Sequence, residues 1–313
     1  MIQRVKSIIK DTVFKLLMFL FRSKKTSVKS SRIGICTLLC HRDINLFIYN
    51  LMSFFYQIKK NLPVYVVDDG TLTPKDIRKL HKYFTVIYES SPSSEKKMAK
   101  ILKGYTNIYT FRFDRDACIL RKKLDAIFLN PFSRFIYLDA DLLCYNYPQE
   151  IVQWLDSDSK TILYTGHLPY PKDFYNNPRA LMEHCCRLLF NERFSCPIDP
   201  TFNSGFLCIP GKDAIRYQRL DEVLKFFYKT YFAYIVVAEE TALYLSFDYQ
   251  HAKKLPLVKY VSIWDLQEYL KCFSEKITIL HYSGAAKYFK FRLDAVKLAL
   301  KNNLFRQTVH TSL

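Results

Sequence analysis

Residues 135–141 read Phe-Ile-Tyr-Leu-Asp-Ala-Asp, and the fold can be worked out from this stretch outward. The apolar run 135–138 predicts a short buried strand. Asp139 and Asp141 follow directly, so two carboxylates one residue apart lie where a strand ends and can both reach one cation. Carboxylate oxygens are ligands that suit Mg²⁺ or Mn²⁺. An Asp-x-Asp also occurs in ordinary solvated turns, but the apolar strand before it favours a metal site.

On both sides of this stretch, short apolar runs alternate with segments of helical periodicity. Strands are predicted at 33–39, 64–67, 85–88, 135–138, 161–165, 206–209 and 277–280. Helices are predicted at 45–58, 73–84, 114–128, 148–155, 181–190, 213–231, 239–247 and 287–300. The Ser/Pro-rich stretch 90–94 predicts a loop.

This alternation indicates an α/β fold with a largely parallel sheet, flanked by helices. Neither an internal repeat nor a long linker interrupts it, so we expect one large domain over residues 33–303, with a tail at 304–313. Ligands of such sheets bind beyond the carboxyl ends of the strands. The polar residues at predicted strand ends are therefore candidates for a binding site: Asp68, Asp69, Asp139, Asp141 and His281.

Two later motifs could complete such a site. Residues 202–206 read Phe-Asn-Ser-Gly-Phe before a predicted strand, and Asn203, Ser204 and Gly205 would let a ligand approach the backbone closely. By itself this pattern is equally typical of an ordinary turn. At 281–287, His281 offers an imidazole as a third metal ligand, and Lys287 offers a positive charge to a phosphate.

Two charged clusters have both a functional and a structural explanation. Lys123 closes a basic triplet, 121–123, which could line a phosphate site or simply form a solvated helix face. Glu239 and Glu240 open a predicted helix, where carboxylates favour the helix dipole. They could also contact a sugar hydroxyl or stabilise a developing positive charge.

The order of these motifs resembles that of the glycogenin-like retaining glycosyltransferases, glycosyltransferase family 8. Lys123 stands sixteen residues before Asp139, Phe-Asn-Ser-Gly follows at 202–205, and a His-x-x-Gly-x-x-Lys motif comes last at 281–287. The resemblance covers roughly residues 33–290. It departs from the family at 288–289, where Tyr-Phe replaces Pro-Trp, and at 239–244, where Glu-Glu replaces Asp-Gln and Tyr244 replaces Asn.

The resemblance implies a GT-A fold with a Rossmann-like nucleotide half, a UDP-linked sugar donor and a Mn²⁺ or Mg²⁺ ion. It implies that Asp139, Asp141 and His281 are the metal ligands. The implied contacts to the donor are Lys287 to its diphosphate and Lys123, Asn203, Ser204, Gly205 and Gly284 around its sugar and phosphates. Asp68 or Asp69 would lie near the nucleoside, and Glu239, Glu240 and Lys123 would be catalytic.

The charge of the chain suggests a second kind of partner. There are 47 Lys+Arg against 29 Asp+Glu, giving a net charge of +18. Residues 1–32 hold nine basic residues and one acid, with apolar residues at helical spacing. We expect a basic amphipathic segment lying on an anionic membrane surface, with a helix docked on its own domain or a plain tail as alternatives. Because no stacking or groove-reading motif accompanies the charge, we expect no nucleic-acid partner.

The remaining inferences concern compartment and competing functions. With 50% hydrophobic residues the chain is not disordered, and its nine cysteines are too sparse for a disulfide framework. We expect a cytoplasmic enzyme, peripheral on the cytoplasmic face of a membrane. Its acceptor is left open among a glycan, a lipid-linked sugar and a protein. Two rival functions are an Asp-x-Asp phosphohydrolase and a non-catalytic membrane- or nucleic-acid-binding module.

Overall fold

The computed structural model describes residues 32–117, 119–167, 199, 201–234, 237–247, 251–264, 276–284 and 286–302. The predicted segment 1–32 (apart from its last residue), the helix at 181–190 and the tail at 304–313 lie outside these residues. Among the residues described, no helix is both long enough and apolar enough to cross a membrane.

Ten strands in the described part of the chain form one mixed sheet. They are β1 (Ile33–Leu39), β2 (Val64–Asp68), β3 (Val86–Glu89), β4 (Arg134–Leu138), β5 (Leu142–Cys144), β6 (Ile162–His167), β7 (Phe202–Ile209), β8 (Ala252–Lys254), β9 (Tyr260–Ile263) and β10 (Ile279–Tyr282). Their order is β3-β2-β1-β4-β7-β6-β9-β10-β5, with β8 paired to β6. Six pairings are parallel. Strand β7 runs antiparallel to β4 and β6, and β5 runs antiparallel to β10.

Helices cover both faces of this sheet. They are α1 (Ile44–Ile58), α2 (Pro74–Tyr83), α3 (Ser91–Ile101), α4 (Thr106–Phe113), α5 (Lys123–Leu129), α6 (Gln149–Asp156), α7 (Tyr217–Lys229), α8 (Ala238–Ser246) and α9 (Arg292–Lys301). Because side chains alternate along a strand, Ile35 and Cys36 enter two different hydrophobic clusters. Phe54 of α1 packs in the first cluster and Phe227 of α7 in the second. The expected α/β fold with a helix-flanked mixed sheet is confirmed.

Several local predictions need correction. The stretch 90–94 is not a loop, because Ser91 begins α3. Its proline lies in the first helical turn, where the missing N–H would have had no intrahelical partner in any case. The helix predicted at 114–128 is regular only over Lys123–Leu129, after a 3₁₀ segment at Ile119–Lys122. By contrast, α2 begins as predicted: Thr73 and Asp76 form a reciprocal capping box.

The order of the strands brings together the motifs at 139–141, 202–205 and 281–287. Strand β4 ends at Leu138, opposite Phe206 of β7, so the first half of β7 lies beside Asp139. The backbone N–H of Asp139 donates to the carbonyl of Gly205 at 2.8 Å. Asn203, Ser204 and Gly205 therefore lie inside a strand, not before one as expected from sequence. His281 lies on β10, opposite Leu142 of β5, and so comes back to Asp141.

Candidate active site

A cleft of about 670 Å³ lies at the carboxyl ends of β1 and β4. The residues that line it come from both halves of the chain and include most of those singled out in the sequence: Asp69, Lys123, Asp139, Asp141, Asn203, Glu239, Glu240, His281, Gly284 and Lys287. Ser204 is buried behind it, with 1% of its surface exposed. The cleft therefore collects motifs that are far apart in sequence.

Asp139, Asp141 and His281 form a triad in this cleft. One ligand atom from each lies within 4.8 Å of the others, a spacing that one divalent cation could bridge. His281 Nε2 lies 3.1 Å from Asp141 Oδ1 and 3.7 Å from Asp139 Oδ2. Two carboxylates and an imidazole are a suitable donor set for Mn²⁺ or Mg²⁺, so these residues fit the ion expected from sequence.

Asn203 orients the imidazole of the triad. Its Oδ1 lies 2.8 Å from His281 Nδ1 and also accepts the backbone N–H of Gly205 at 3.1 Å. Because that N–H requires an oxygen, we assign a donating Nδ1–H to His281. Its Nε2 faces the two carboxylates and lies 3.1 Å from Asp141 Oδ1. In the metal-loaded protein this nitrogen would offer its lone pair to the ion, as a metal-ligating histidine does when its other nitrogen is hydrogen-bonded.

Gly205 makes room for this arrangement. A Cβ at this position would lie 2.2 Å from Cε1 and 2.6 Å from Nδ1 of His281. The glycine of the Phe-Asn-Ser-Gly motif therefore acts by close packing under the imidazole, which is a different role from the expected contact with the donor. Gly284 lines the cleft and has a positive φ of 55°, a conformation that glycine adopts without strain.

Two lysines flank the triad, Lys123 buried and Lys287 partly buried. Lys123 Nζ lies 2.9 Å from Asp139 Oδ2 and 3.0 Å from Ser204 Oγ. Lys287 Nζ lies 3.3 Å from Asp141 Oδ2 and is also ion-paired with Asp43. Burial disfavours the charged form of both lysines. Around Lys123, the carboxylates of Asp139 and Glu239 outweigh burial and raise the pKa of Lys123.

The carboxylates around Lys287 likewise raise its pKa against the effect of burial. In return, Lys287 and His281 outweigh the burial of Asp141 and hold its pKa below the usual range. The two lysines are therefore fixed positive charges on either side of the triad.

The two glutamates have different surroundings. Glu240 Oε2 accepts from Asn203 Nδ2 at 3.1 Å and from the backbone N–H of Ser204 at 3.0 Å. Glu239 is 1% exposed, and its Oε1 has no hydrogen-bond partner among the described residues. Burial raises the pKa of Glu239 to about 8, helped by Glu240 and Asp139 and opposed by Lys123. Glu239 is therefore largely protonated at neutral pH.

Asp68 and Asp69 have turn-forming contacts. Asp68 Oδ1 accepts the backbone N–H groups of Gly70 and Leu72, and its Oδ2 accepts the hydroxyl of Tyr88 at 2.9 Å. Asp69 lines the cleft while its Oδ1 accepts from Thr71. Of the two, Asp69 is the better candidate for a ligand contact.

Sequence reasoning missed two residues that support the site. Asp43 pairs with Lys287, and His167 Nε2 lies 2.9 Å from Asn203 Nδ2 while its ring stacks on Trp264. His167 ends β6 and Asp43 lies four residues beyond β1. Ligands of such sheets bind beyond the carboxyl ends of the strands, and a search of the residues that follow each strand could have found both.

The mixed sheet flanked by helices has the GT-A fold of glycosyltransferases. The galactosyltransferase LgtC, in complex with donor and acceptor sugar analogues, matches with a TM-score of 0.52 and 10% identity, over 86% of this chain and 95% of that one. Mouse xyloside xylosyltransferase 1, in its apo form, has a TM-score of 0.49 and 13% identity, over 80% and 97% of the two chains. Core-mannan synthase A of Aspergillus fumigatus, in a Mn/GDP form, has a TM-score of 0.47 and 12% identity, over 74% of each chain. No protein-family model and no curated protein sequence matches this chain.

Proposed function

We propose that this protein is a glycosyltransferase that moves a hexose from a nucleotide-sugar, UDP-linked, to an acceptor hydroxyl with retention at the anomeric carbon. The observation that carries the proposal is the triad of Asp139, Asp141 and His281 between two lysines that are ion-paired with its carboxylates. Such a site suits a diphosphate, whose charge needs both a cation and fixed ammonium groups. The family 8 resemblance of the same motifs supports the choice of UDP and of retention.

Asp139, Asp141 and His281 would hold Mn²⁺ or Mg²⁺. When bound, such an ion supplies Lewis-acid neutralisation of charge on the leaving diphosphate. Lys287 stabilises the same charge as a fixed cation, and Asp43 keeps its ammonium beside the site. Lys123, Asn203 and Gly284 contact the donor, and Ser204 and Gly205 support them from behind. Asp69, with Asp68 bracing its turn, lies on the nucleoside side.

The glutamates act on the sugar. As the bond to the diphosphate lengthens, positive charge grows on the sugar ring, and a carboxylate beneath it stabilises that charge. Glu240 is the better group for this role, because Asn203 and the Ser204 N–H fix its orientation. Glu239 holds a proton near neutral pH and suits a hydrogen-bond donor to a sugar oxygen. We favour attack of the acceptor from the leaving-group side over a covalent glycosyl intermediate.

We further propose that the protein works on the cytoplasmic face of a membrane. Residues 1–32 would hold it there through basic and apolar side chains, next to a lipid-linked, glycan or protein acceptor. No nucleic-acid partner is part of the proposal. Vesicles containing phosphatidylglycerol should bind the full chain and release it in high salt.

A donor screen tests the activity. The full chain is incubated with UDP-glucose, UDP-galactose and related donors plus MnCl₂, and free sugar and UDP are followed by NMR, which also gives the anomer first released. We expect hydrolysis of one donor with retained configuration and its loss with EDTA. Asp141→Asn should lower turnover at least about 100-fold with the fold intact, while the surface variant Asp156→Asn should not.

Each rival function predicts a different result. Full turnover by Asp141→Asn with Mn²⁺ would rule out the metal site. Release of inorganic phosphate from phosphate esters, with a phosphorylated Asp139, would instead identify a phosphohydrolase. If no donor is hydrolysed or transferred while vesicles or nucleic acid are bound, the protein is a binding module.

A further inference from the structure

Aromatic side chains that are exposed or partly exposed gather around the C-terminal end of α7. We call Tyr228, Tyr231 and Tyr234 the tyrosine patch. Tyr231 is 78% exposed and Tyr234 44% exposed. The rings of these two residues lie 6.4 Å apart between centroids with their planes only 34° apart, and Tyr228 meets Tyr234 edge-on at 5.9 Å. The two outer rings thus form a nearly continuous apolar surface that carries hydroxyl groups.

The backbone holds this surface in a particular shape. Tyr231 has a φ of 58°, in the left-handed region, which is unfavourable for a residue other than glycine. The next residue, Phe232, is 1% exposed and packs on Phe227 with ring centroids 4.4 Å apart. The buried phenylalanine therefore fixes the turn that presents Tyr231 and Tyr234 to solvent. Backbone strain of this kind occurs preferentially at functional sites.

The tyrosine patch lies near one wall of the cleft, since Tyr228 interacts electrostatically with Arg121, a residue that lines the cleft. Val237 lines the cleft only three residues after Tyr234, and three residues of chain span at most about 11 Å. On the other side, the hydroxyl of Tyr228 donates to Asp114 at 3.1 Å. From Asp114 the chain runs on to Leu120 and Arg121, which also line the cleft. The patch is therefore close enough for a ligand several sugar units long to reach it from the cleft.

The charge around the patch indicates what kind of ligand this is. Segments 106–117 and 217–234, which carry the patch and its neighbours, contain three basic and four acidic residues that are not buried, while Arg112 and Arg219 are buried. In a chain with a net charge of +18, this surface is nearly neutral. An anionic lipid surface would require a cationic patch. The apolar face of a sugar ring packs on an aromatic face, and tyrosine adds a hydroxyl for hydrogen bonds.

We infer that Tyr231 and Tyr234 bind the acceptor, and that the acceptor is a neutral oligosaccharide which stacks on them while its end reaches the cleft. This inference rests on the proposed function and names the substrate class of the same site. It makes the two tyrosines binding residues for the sugar units farther from the reacting hydroxyl. The two lysines of the cleft, Lys123 and Lys287, act on the donor and take no part in this contact.

A binding experiment separates this inference from the activity itself. The full chain, with UDP and MnCl₂, is applied to a panel of immobilised neutral and acidic oligosaccharides, and the best ligand is then titrated by calorimetry. We expect a neutral oligosaccharide of several units to bind. The double variant Tyr231→Ala/Tyr234→Ala should lower its affinity at least about tenfold and raise the acceptor KM rather than lower kcat. Tyr147→Ala, which removes another tyrosine that is 51% exposed, should leave both unchanged.

Other results would overturn the inference. Equal oligosaccharide affinity in the double variant and the wild type would exclude the tyrosine patch as the binding surface. Loss of binding to phosphatidylglycerol vesicles in the double variant, without loss of oligosaccharide binding, would make it a membrane contact. If the wild type hydrolyses a UDP-sugar but binds no oligosaccharide, the proposed function stands and the inference fails. If no UDP-sugar is hydrolysed, the proposed function fails by itself.

Discussion

Asn203 and His281, 78 positions apart in the chain, are joined by a hydrogen bond of 2.8 Å between Oδ1 and Nδ1. The same amide donates through Nδ2 to Glu240 at 3.1 Å. One asparagine therefore connects the imidazole of the candidate metal site with Glu240, the glutamate that we propose acts on the sugar. Its orientation is fixed by the backbone N–H of Gly205.

Removing this asparagine should weaken metal binding. Without Asn203 Oδ1, His281 Nδ1 keeps only the more distant hydroxyls of Ser262 at 3.1 Å and Ser283 at 3.4 Å, so the imidazole is held less firmly. Such supporting contacts are typically worth about 10–100-fold in metal affinity. We therefore expect Asn203→Ala to lower Mn²⁺ affinity by that factor, as measured by calorimetry or by the EPR signal of free Mn²⁺. Asn107→Ala, which breaks a contact with Asp221 outside the cleft, is the matched control. Equal Mn²⁺ affinity in the two variants would contradict the orienting role.

A methyl group under the imidazole should have a similar effect by another route. In Gly205→Ala the new Cβ would clash with His281, so the ring must move away from Asp139 and Asp141. We expect at least a tenfold loss of Mn²⁺ affinity. Gly104→Ala is the control, because Gly104 has a positive φ of 103° with nothing near its Cβ. That variant should lower Tm through backbone strain but leave Mn²⁺ affinity unchanged.

The sequence predicted the parts of the site that follow local rules. An apolar strand followed by Asp139 and Asp141 is a local pattern, and the structure has both the strand and the cluster. Asp43 was missed because its role depends on Lys287, 244 residues away, and no local pattern links the two. Asp43 follows the carboxyl end of a strand and could have been a candidate on that ground. That position alone does not say which strand ends lie next to each other in the fold.

The difference between Glu239 and Glu240 could not be predicted either. In the sequence they are adjacent carboxylates at a helix start, with the same local environment. Their chemistry differs because Glu239 faces Lys123 in a fully buried space, whereas Glu240 accepts a hydrogen bond from Asn203 of β7. The pKa of Glu239 is therefore a property of packing between α8 and β7.

Glu239 should make the stability of the metal-free protein depend on pH. Its pKa is raised from 4.5 to about 8 in the folded state, so the unfolded chain releases this proton at lower pH. Its contribution is fully present below about pH 4.5 and is lost as pH rises to about 8. We expect the free energy of unfolding in urea to fall over this range, and to fall less in Glu239→Gln. Glu150→Gln is the control. Burial raises the pKa of Glu150, but its partners Tyr260 and Lys259 outweigh burial and lower it, so its effect on stability has the opposite pH dependence. A wild-type slope unchanged in Glu239→Gln would contradict the assignment.

Behind the lining of the cleft, Arg112 and Asp125 form a buried bidentate ion pair whose two members should depend on each other. Their side chains are 3% and 0% exposed, and Arg112 donates to both carboxylate oxygens. Arg112→Met leaves a buried carboxylate without its partner, so we expect a loss of about 3–5 kcal/mol in urea unfolding. The double variant Arg112→Met/Asp125→Leu removes both charges and should recover most of that loss, because the desolvation cost disappears with them. A double variant as unstable as Arg112→Met would show that the loss comes from packing and not from the unpaired charge.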